Sequence, residues 1–191
     1  MQNFRLQMFI EATMLAAFAM VLDFLPSIKI ASGISISFAM VPVFVAALRW
    51  GWKAGFFSGF LWGILQIVLG EAYILHPVQA VIEYFLAFMM VGAAGFFAKT
   101  IQHQLMNQQK KAVIKTIAFS LFVACVLRYI WHFIAGFYFF ASFAPKEMSP
   151  VVYSLVINGT TMILTYVLCV IVLTFLASVS PRILENKQFR M

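Results

Sequence analysis

The most constraining feature of this chain is its succession of long apolar runs, separated by polar breaks of only about 2 to 12 residues. In hydrocarbon every backbone N–H and C=O must find a partner within the protein, so such runs fold as membrane helices and not as open sheets. The chain has 191 residues, of which 64% are hydrophobic and 10% charged. No break is long enough to fold as a soluble unit, so residues 1–191 are expected to form a single transmembrane domain without a catalytic head. The expected fold class is all-α, an integral membrane six-helix bundle, with helices at roughly 4–25, 36–50, 52–70, 77–99, 112–141 and 151–178. The second and third fall short of the roughly 20 residues that a span requires. Only Arg49 to Lys53 separates them, which predicts an antiparallel hairpin with a tight turn. Proline and glycine mark the other breaks, near 26–35, 70–77 and 142–150.

A formal charge of +7 would suit a nucleic-acid partner, but the basic residues follow the breaks and do not form one patch. Arg5, Arg49, Lys53, Lys99, Lys110, Lys111, Lys115, Arg182, Lys187 and Arg190 make ten of thirteen on one side. Lys29 and Lys146 fall on the other side, and Arg128 lies within a run. The positive-inside rule then puts both termini in the cytoplasm and gives an even number of spans. Membrane lipid, and not nucleic acid, is the expected surrounding.

Within this apolar background Glu83 is the least expected residue, and His132 and Asn158 interrupt two later runs. Ionisable residues inside a bilayer face the bundle interior and mark a ligand site or pathway. At about 1.5 Å per residue, Glu83 lies roughly 9 Å below the outer end of its helix, His132 about 13 Å and Asn158 about 10 Å, so the three can share one level. Tyr84 and Tyr153 lie nearby in sequence, Tyr73 sits in an outer loop, and Trp131, Phe137, Tyr138, Phe139 and Phe140 crowd the upper half of the fifth helix. A carboxylate walled by aromatic faces suits a flat cation, and Asn158 suits a heterocycle edge. The competing reading is structural: Glu83 pairs with Arg128 or His132 and holds helices together.

Gly55, Gly59 and Gly63 form a four-residue repeat that allows close helix packing. Thr13 and Ala17, beside Ala12 and Ala16, form a similar small face on the first helix, for packing or for docking another membrane subunit. Cys125 and Cys169 read as buried hydrophobes without a disulfide. Asn158-Gly159-Thr160 matches a glycosylation acceptor but falls inside a helix, and residues 5–22 read as a span and not a cleaved signal. Trp50 and Trp52 read as interface anchors, Trp62 as packing, His76 and His103 as loop residues; Glu11 has no assigned role. The sequence has no phosphate-binding lysine loop, HExxH, paired metal-ligand cysteines or GxSxG elbow. Neither a repeated polar pore lining nor an inverted repeat is evident. No cofactor, no metal and no enzyme activity are expected.

Three stretches, EAYILHPVQAVIEY at 71–84, RYIWHFIAGFYFFASFAPK at 128–146 and VVYSLVINGT at 151–160, resemble the thiamine-specific S components of energy-coupling factor transporters, the ThiT or YuaJ family. The likeness runs from the first helix to the sixth. It implies a six-helix protein of the bacterial plasma membrane that captures thiamine near the outer face and delivers it with a transmembrane coupling subunit and two cytoplasmic ATPases. Position by position it implies ligand contacts at Tyr73, Glu83, Tyr84, His132, Phe140, Tyr153 and Asn158, with Glu83 and Asn158 on the aminopyrimidine edge. It also implies docking of the coupling subunit through Thr13 and Ala17.

Departures from that pattern are local. Phe140 stands where some members have tryptophan, and Gly33 and Ser37 stand where some have tryptophan and glutamate. One acidic contact is therefore expected to be lost, with weaker or redistributed binding of the same vitamin. Outer loops 26–35 and 70–76 are the expected lids. Alternatives are an S component for another vitamin or for a thiamine precursor such as hydroxymethylpyrimidine, an intramembrane enzyme using Glu83 and His132 as acid and base, and a structural assembly protein.

Overall fold

A computed structural model of the chain describes residues 2–24, 28–31 and 34–186. Among these residues six helical segments run up and down one bundle: α1 (Gln2–Asp23), α2 (Met40–Trp50), α3 (Trp52–Val68), α4 (Pro77–Met106), α5 (Lys110–Phe139) and α6 (Pro150–Val179). Four of them, α1, α4, α5 and α6, are long and apolar enough to cross a membrane, and α2 and α3 are shorter. The expected hairpin of α2 and α3 is present. Gly51, at φ 91°, takes up a left-handed turn between them that an L side chain would strain.

The first outer break differs from expectation. Residues Ile28–Ala31 (β1) and Ile34–Ile36 (β2) form an antiparallel hairpin, with Ile28 opposite Ile36 and Lys29 opposite Ser35. The helix expected from residue 36 therefore starts at Met40. The alternation Ile34-Ser35-Ile36-Ser37 has the two-residue period of a strand, which an apolar-run reading passes over. At the other end of the molecule α4 continues past residue 99 to Met106 because polar residues there still bury one face. Gln102, 2% exposed, donates to the carbonyls of Leu48 (3.1 Å) and Leu184 (2.6 Å) and accepts from Asn186 N–H at 2.9 Å.

These bonds, with Arg49 Nη1 to the carbonyls of Arg182 (3.0 Å) and Ile183 (2.9 Å), gather the α2–α3 turn, the end of α4 and the segment after α6 at one end of the bundle. Glu11 reaches the same cluster, its Oε2 lying 2.9 Å from Arg49 Nε and accepting from Trp50 Nε1 at 2.7 Å. The acid that the sequence left without a role thus ties α1 to the hairpin turn, and Trp50, read as an interface anchor, holds a polar bond there. Lys187 and Arg190, counted with this basic end, lie outside the described residues.

Helix α4 is not uniform. It opens as an α-turn at Pro77–Ala80, widens into a π-helix over Val81–Ala87 and tightens into a 3₁₀ stretch over Val91–Phe97. The glycines of α3 lie along this irregular helix. A β-carbon on Gly63 would fall 1.6 Å from the Tyr84 carbonyl oxygen, and one on Gly59 would fall 2.3 Å from that of Phe88. Gly92 and Gly95 on α4 reciprocate against Gly55–Phe56 and Gly51–Trp52. The glycine repeat is therefore a packing face, and its partner is the helix that carries Glu83.

On α1, Ala12, Ala16 and Ala19 are fully buried, whereas Thr13 and Ala17 are exposed beside exposed Met14 and Phe18. The Thr13–Ala17 face does not pack against the described part of the chain. Cys125 and Cys169 are buried free thiols.

Gly63→Ala is expected to destabilise the detergent-purified protein by about 1–3 kcal/mol, the usual range for overpacking. Gly159→Ala, where a β-carbon meets nothing within 4 Å, is expected to be neutral or stabilising. Thermal unfolding of both variants checks the contrast, and equal effects would contradict the packing assignment.

Candidate functional site

The polar residues of α4, α5 and α6 meet toward the end of the bundle opposite the Glu11–Arg49 cluster. Two polar side chains on α6 set the α5–α6 contact. Ser154 Oγ donates to the Phe133 carbonyl at 2.8 Å, and the Asn158 amide donates to the carbonyl (3.0 Å) and Oγ (3.1 Å) of Ser154. Gly136 on α5 leaves the space for this, since a β-carbon there would lie 2.3 Å from Ser154 Oγ. His132 then faces α4, its Nδ1 lying 3.4 Å from Glu83 Oε1, with both side chains 15% exposed.

Glu83 sits in the π-helix, a widened turn of the kind that recurs at functional sites. Its other oxygen accepts from the Gln79 amide. Gln79 also donates to the Tyr73 carbonyl at 3.1 Å and accepts from Leu75 N–H at 3.0 Å, so one buried glutamine fastens the outer loop to the carboxylate. Tyr84 Oη accepts from Tyr73 N–H at 2.8 Å, a second tie between loop and helix. His76 caps the start of α4 by accepting from Val78 N–H at 3.1 Å and stacks on Phe139, and so is more than an ordinary loop residue.

Six of the seven predicted ligand residues, Tyr73, Glu83, His132, Phe140, Tyr153 and Asn158, line one cavity of about 370 Å³. Tyr84 faces a second cavity of about 340 Å³ that shares His132 and Asn158 with the first. Both volumes fall within the range of small-molecule sites. We refer to these as the outer and inner chambers. Of the expected Glu83 partners, His132 is one and Arg128 is not. Arg128 instead lies in the wall of the inner chamber, its guanidinium carbon 4.1 Å from the centroid of the Phe88 ring and 5.0 Å from that of Trp62.

The inner chamber holds a carboxylate that sequence reading passed over. Asp23, the last residue of α1, accepts from Ser37 Oγ at 2.8 Å, from Trp62 Nε1 at 2.8 Å and from the Gln66 amide. Trp62 therefore holds a polar bond as well as packing. Where one acidic group fewer is expected at Ser37, Ser37 is hydrogen-bonded to Asp23 in the same wall. The signal was present: an acid ending an apolar run, with a tryptophan and a glutamine four residues apart on one face of α3. Gly33, the other departure, lies outside the described residues.

Comparison with known proteins gives one family. The sequence model of the family described as thiamine transporter protein (Thia_YuaJ) matches residues 9–185. The chain is 36% identical to the thiamine transporter ThiT of Bacillus subtilis over 97% of each chain. It is 32% identical to that of Lacticaseibacillus paracasei, over 97% of this chain and 94% of the relative. A solved structure of ThiT from Listeria monocytogenes superposes with a TM-score of 0.93 at 37% identity, covering 96% of this chain and all of that one.

Asp23→Ala strands three donors at once, at about 1–3 kcal/mol for each donor left buried, and is expected to cost more in the unliganded protein than Ser37→Ala, which takes away one of those donors and the acceptor of Ala39 N–H. Thermal unfolding of the two variants side by side tests this. A Ser37→Ala loss as large as that of Asp23→Ala would show that the network is not centred on the carboxylate.

Proposed function

The chain belongs to the Thia_YuaJ family of thiamine transporter proteins, and on that premise we propose that it is a thiamine-binding S subunit that captures the vitamin from outside the cell. The observation that carries the reading is the outer chamber, where a carboxylate and an imidazole stand among Tyr73, Phe140 and Tyr153 inside a largely apolar bundle. Thiamine joins an aminopyrimidine to a cationic thiazolium ring. Glu83 and Asn158 offer acceptor and amide groups to the aminopyrimidine edge, while aromatic faces suit both rings. His132, Tyr84 and Tyr153 complete the enclosure. The protein binds and releases its ligand unchanged and is not an enzyme.

Orientation follows from charge. The end that gathers Arg5, Arg49, Lys53, Lys99, Lys110 and Arg182 faces the cytoplasm, and the chambers open toward the exterior. The Tyr73 loop, fastened through Gln79 and Tyr84, forms one lid, and the β1–β2 hairpin forms the other. The exposed Thr13–Ala17 face on α1 docks a transmembrane coupling subunit, which joins the protein to two cytoplasmic ATPases. A small-residue face with no partner among the described residues supports that role.

Titration of thiamine into the purified protein is expected to give saturable binding, and Glu83→Gln to weaken it by roughly 10- to 100-fold, the effect of losing a charge-assisted bond. Undetectable binding at micromolar ligand would overturn the reading, and tighter binding of the isolated hydroxymethylpyrimidine would redirect it to the precursor. Ala17→Trp is expected to abolish cellular uptake while leaving thiamine binding intact. Loss of both would point to folding and not docking.

A further inference from the structure

The inner chamber contains a cation that nothing described so far uses. Arg128 is only 8% exposed, and its Nε and Nη1 are buried without a hydrogen-bond acceptor among the described residues. Ring faces hold the guanidinium: Phe88 at 4.1 Å, Trp62 at 5.0 Å and Tyr129 at 5.9 Å from the centroid. Such contacts stabilise the charge but leave the N–H edge unmet, and buried donors left without an acceptor are costly. Asp23 does not relieve them, because its oxygens accept from Ser37, Trp62 and Gln66. Arg128 lines the chamber, so its guanidinium, apart from the enclosed Nε and Nη1, is the positive donor group that an entering acceptor meets.

Charge decides what that is. Glu83 and Asp23 against Arg128 leave one net negative charge on the less exposed lining when His132 is neutral, and exposed Glu71 brings the lining of the two chambers to two. A positive ligand reduces that charge. A phosphate beside Asp23 and Glu71 would instead add negative charge in a low dielectric, so the acceptor that suits Arg128 is an uncharged oxygen. Because the chambers share His132 and Asn158, a two-ring ligand can place one ring in each.

We propose that Arg128 is the recognition group for the uncharged oxygen-bearing arm of the ligand, a primary alcohol that accepts from the guanidinium while the cationic ring lies between Arg128 and Asp23. The proposal rests on the thiamine reading, in which that alcohol is the hydroxyethyl arm of the thiazolium ring. It makes Arg128 a specificity-determining residue, since a site with buried donors rejects a ligand that leaves them unmet.

The test compares thiamine with its deoxy analogue, in which hydrogen replaces the hydroxyl, on wild type, Arg128→Met and Arg128→Lys by calorimetric titration. Wild type is expected to favour thiamine by about 10- to 100-fold, the usual effect of a hydrogen bond to a charged donor. Arg128→Met is expected to bind both ligands within about twofold of each other and to hold the deoxy analogue at least as tightly as wild type does, because a positive charge beside the cationic ring is gone; that retained binding shows that the chamber is intact. Arg128→Lys, with its charge but not its planar donor edge, is expected to keep a smaller preference. Equal binding of both ligands to wild type overturns the proposal, as does a Met variant that weakens both by the same factor. Should Arg128→Met not fold, a full-sized preference in Arg128→Lys overturns it instead. Absence of thiamine binding to wild type would refute the transport reading itself, whereas equal binding would refute only the assignment of the arm.

Discussion

The arrangement of the site depends on one close approach of two backbones. Gly63 of α3 lies where the carbonyl of Tyr84 on α4 occupies the space of a missing β-carbon, and Gly59 and Gly55 repeat the contact against Phe88 and Gly92. Between apolar helices in a bilayer the hydrophobic effect gives no drive to associate, so packing of this kind has to hold the bundle. It also fixes the height and rotation of the π-turn that carries Glu83 and Tyr84. Glu83 then meets His132 of α5, and Asn158 of α6 lines the same chamber.

Polar groups in the membrane interior are organised around that frame by the need for partners. Gln79 ties an outer loop to Glu83, Asp23 ties α1 to α3 and to Ser37 at the base of the hairpin, and Glu11 ties α1 to the α2–α3 turn at the opposite end. Asp23 and Glu11 bridge segments that are distant in sequence, whereas Gln79 ties a loop to the helix that follows it. The Asp23 network adds a hydrogen-bonded carboxylate to the wall of the inner chamber that Ser37 shares. Of the buried charges discussed, Arg128 alone lacks a hydrogen-bond acceptor among the described residues.

Much of the fold was legible because membrane helices obey a local rule. Apolar runs, tight breaks and the Arg49–Lys53 turn predicted six helical segments to within a few residues at most ends, and the glycine repeat predicted a close-packed face. The misses have local causes as well. The strand period in Ile34-Ser35-Ile36-Ser37 was hidden within an apolar stretch, and the extension of α4 to Met106 depends on Gln102 bonding to carbonyls of two other segments. Resemblance to a family supplied the set of seven candidate ligand residues, which line two adjoining chambers.

By itself the sequence determined that the backbone must be helical through the membrane, which end is basic, and that Glu83, His132 and Asn158 lie at comparable depths. These follow from hydrogen-bond saturation in lipid and from a fixed rise per residue, both of which act locally. Only the tertiary structure decided that Glu83 faces His132 and not Arg128, that Asp23 belongs to the inner chamber, and that Thr13 and Ala17 point outward. Those outcomes depend on helix rotation and on which polar group reaches a given acceptor first, and rotation is set by side chains packing across helices that the order of residues along one chain does not specify.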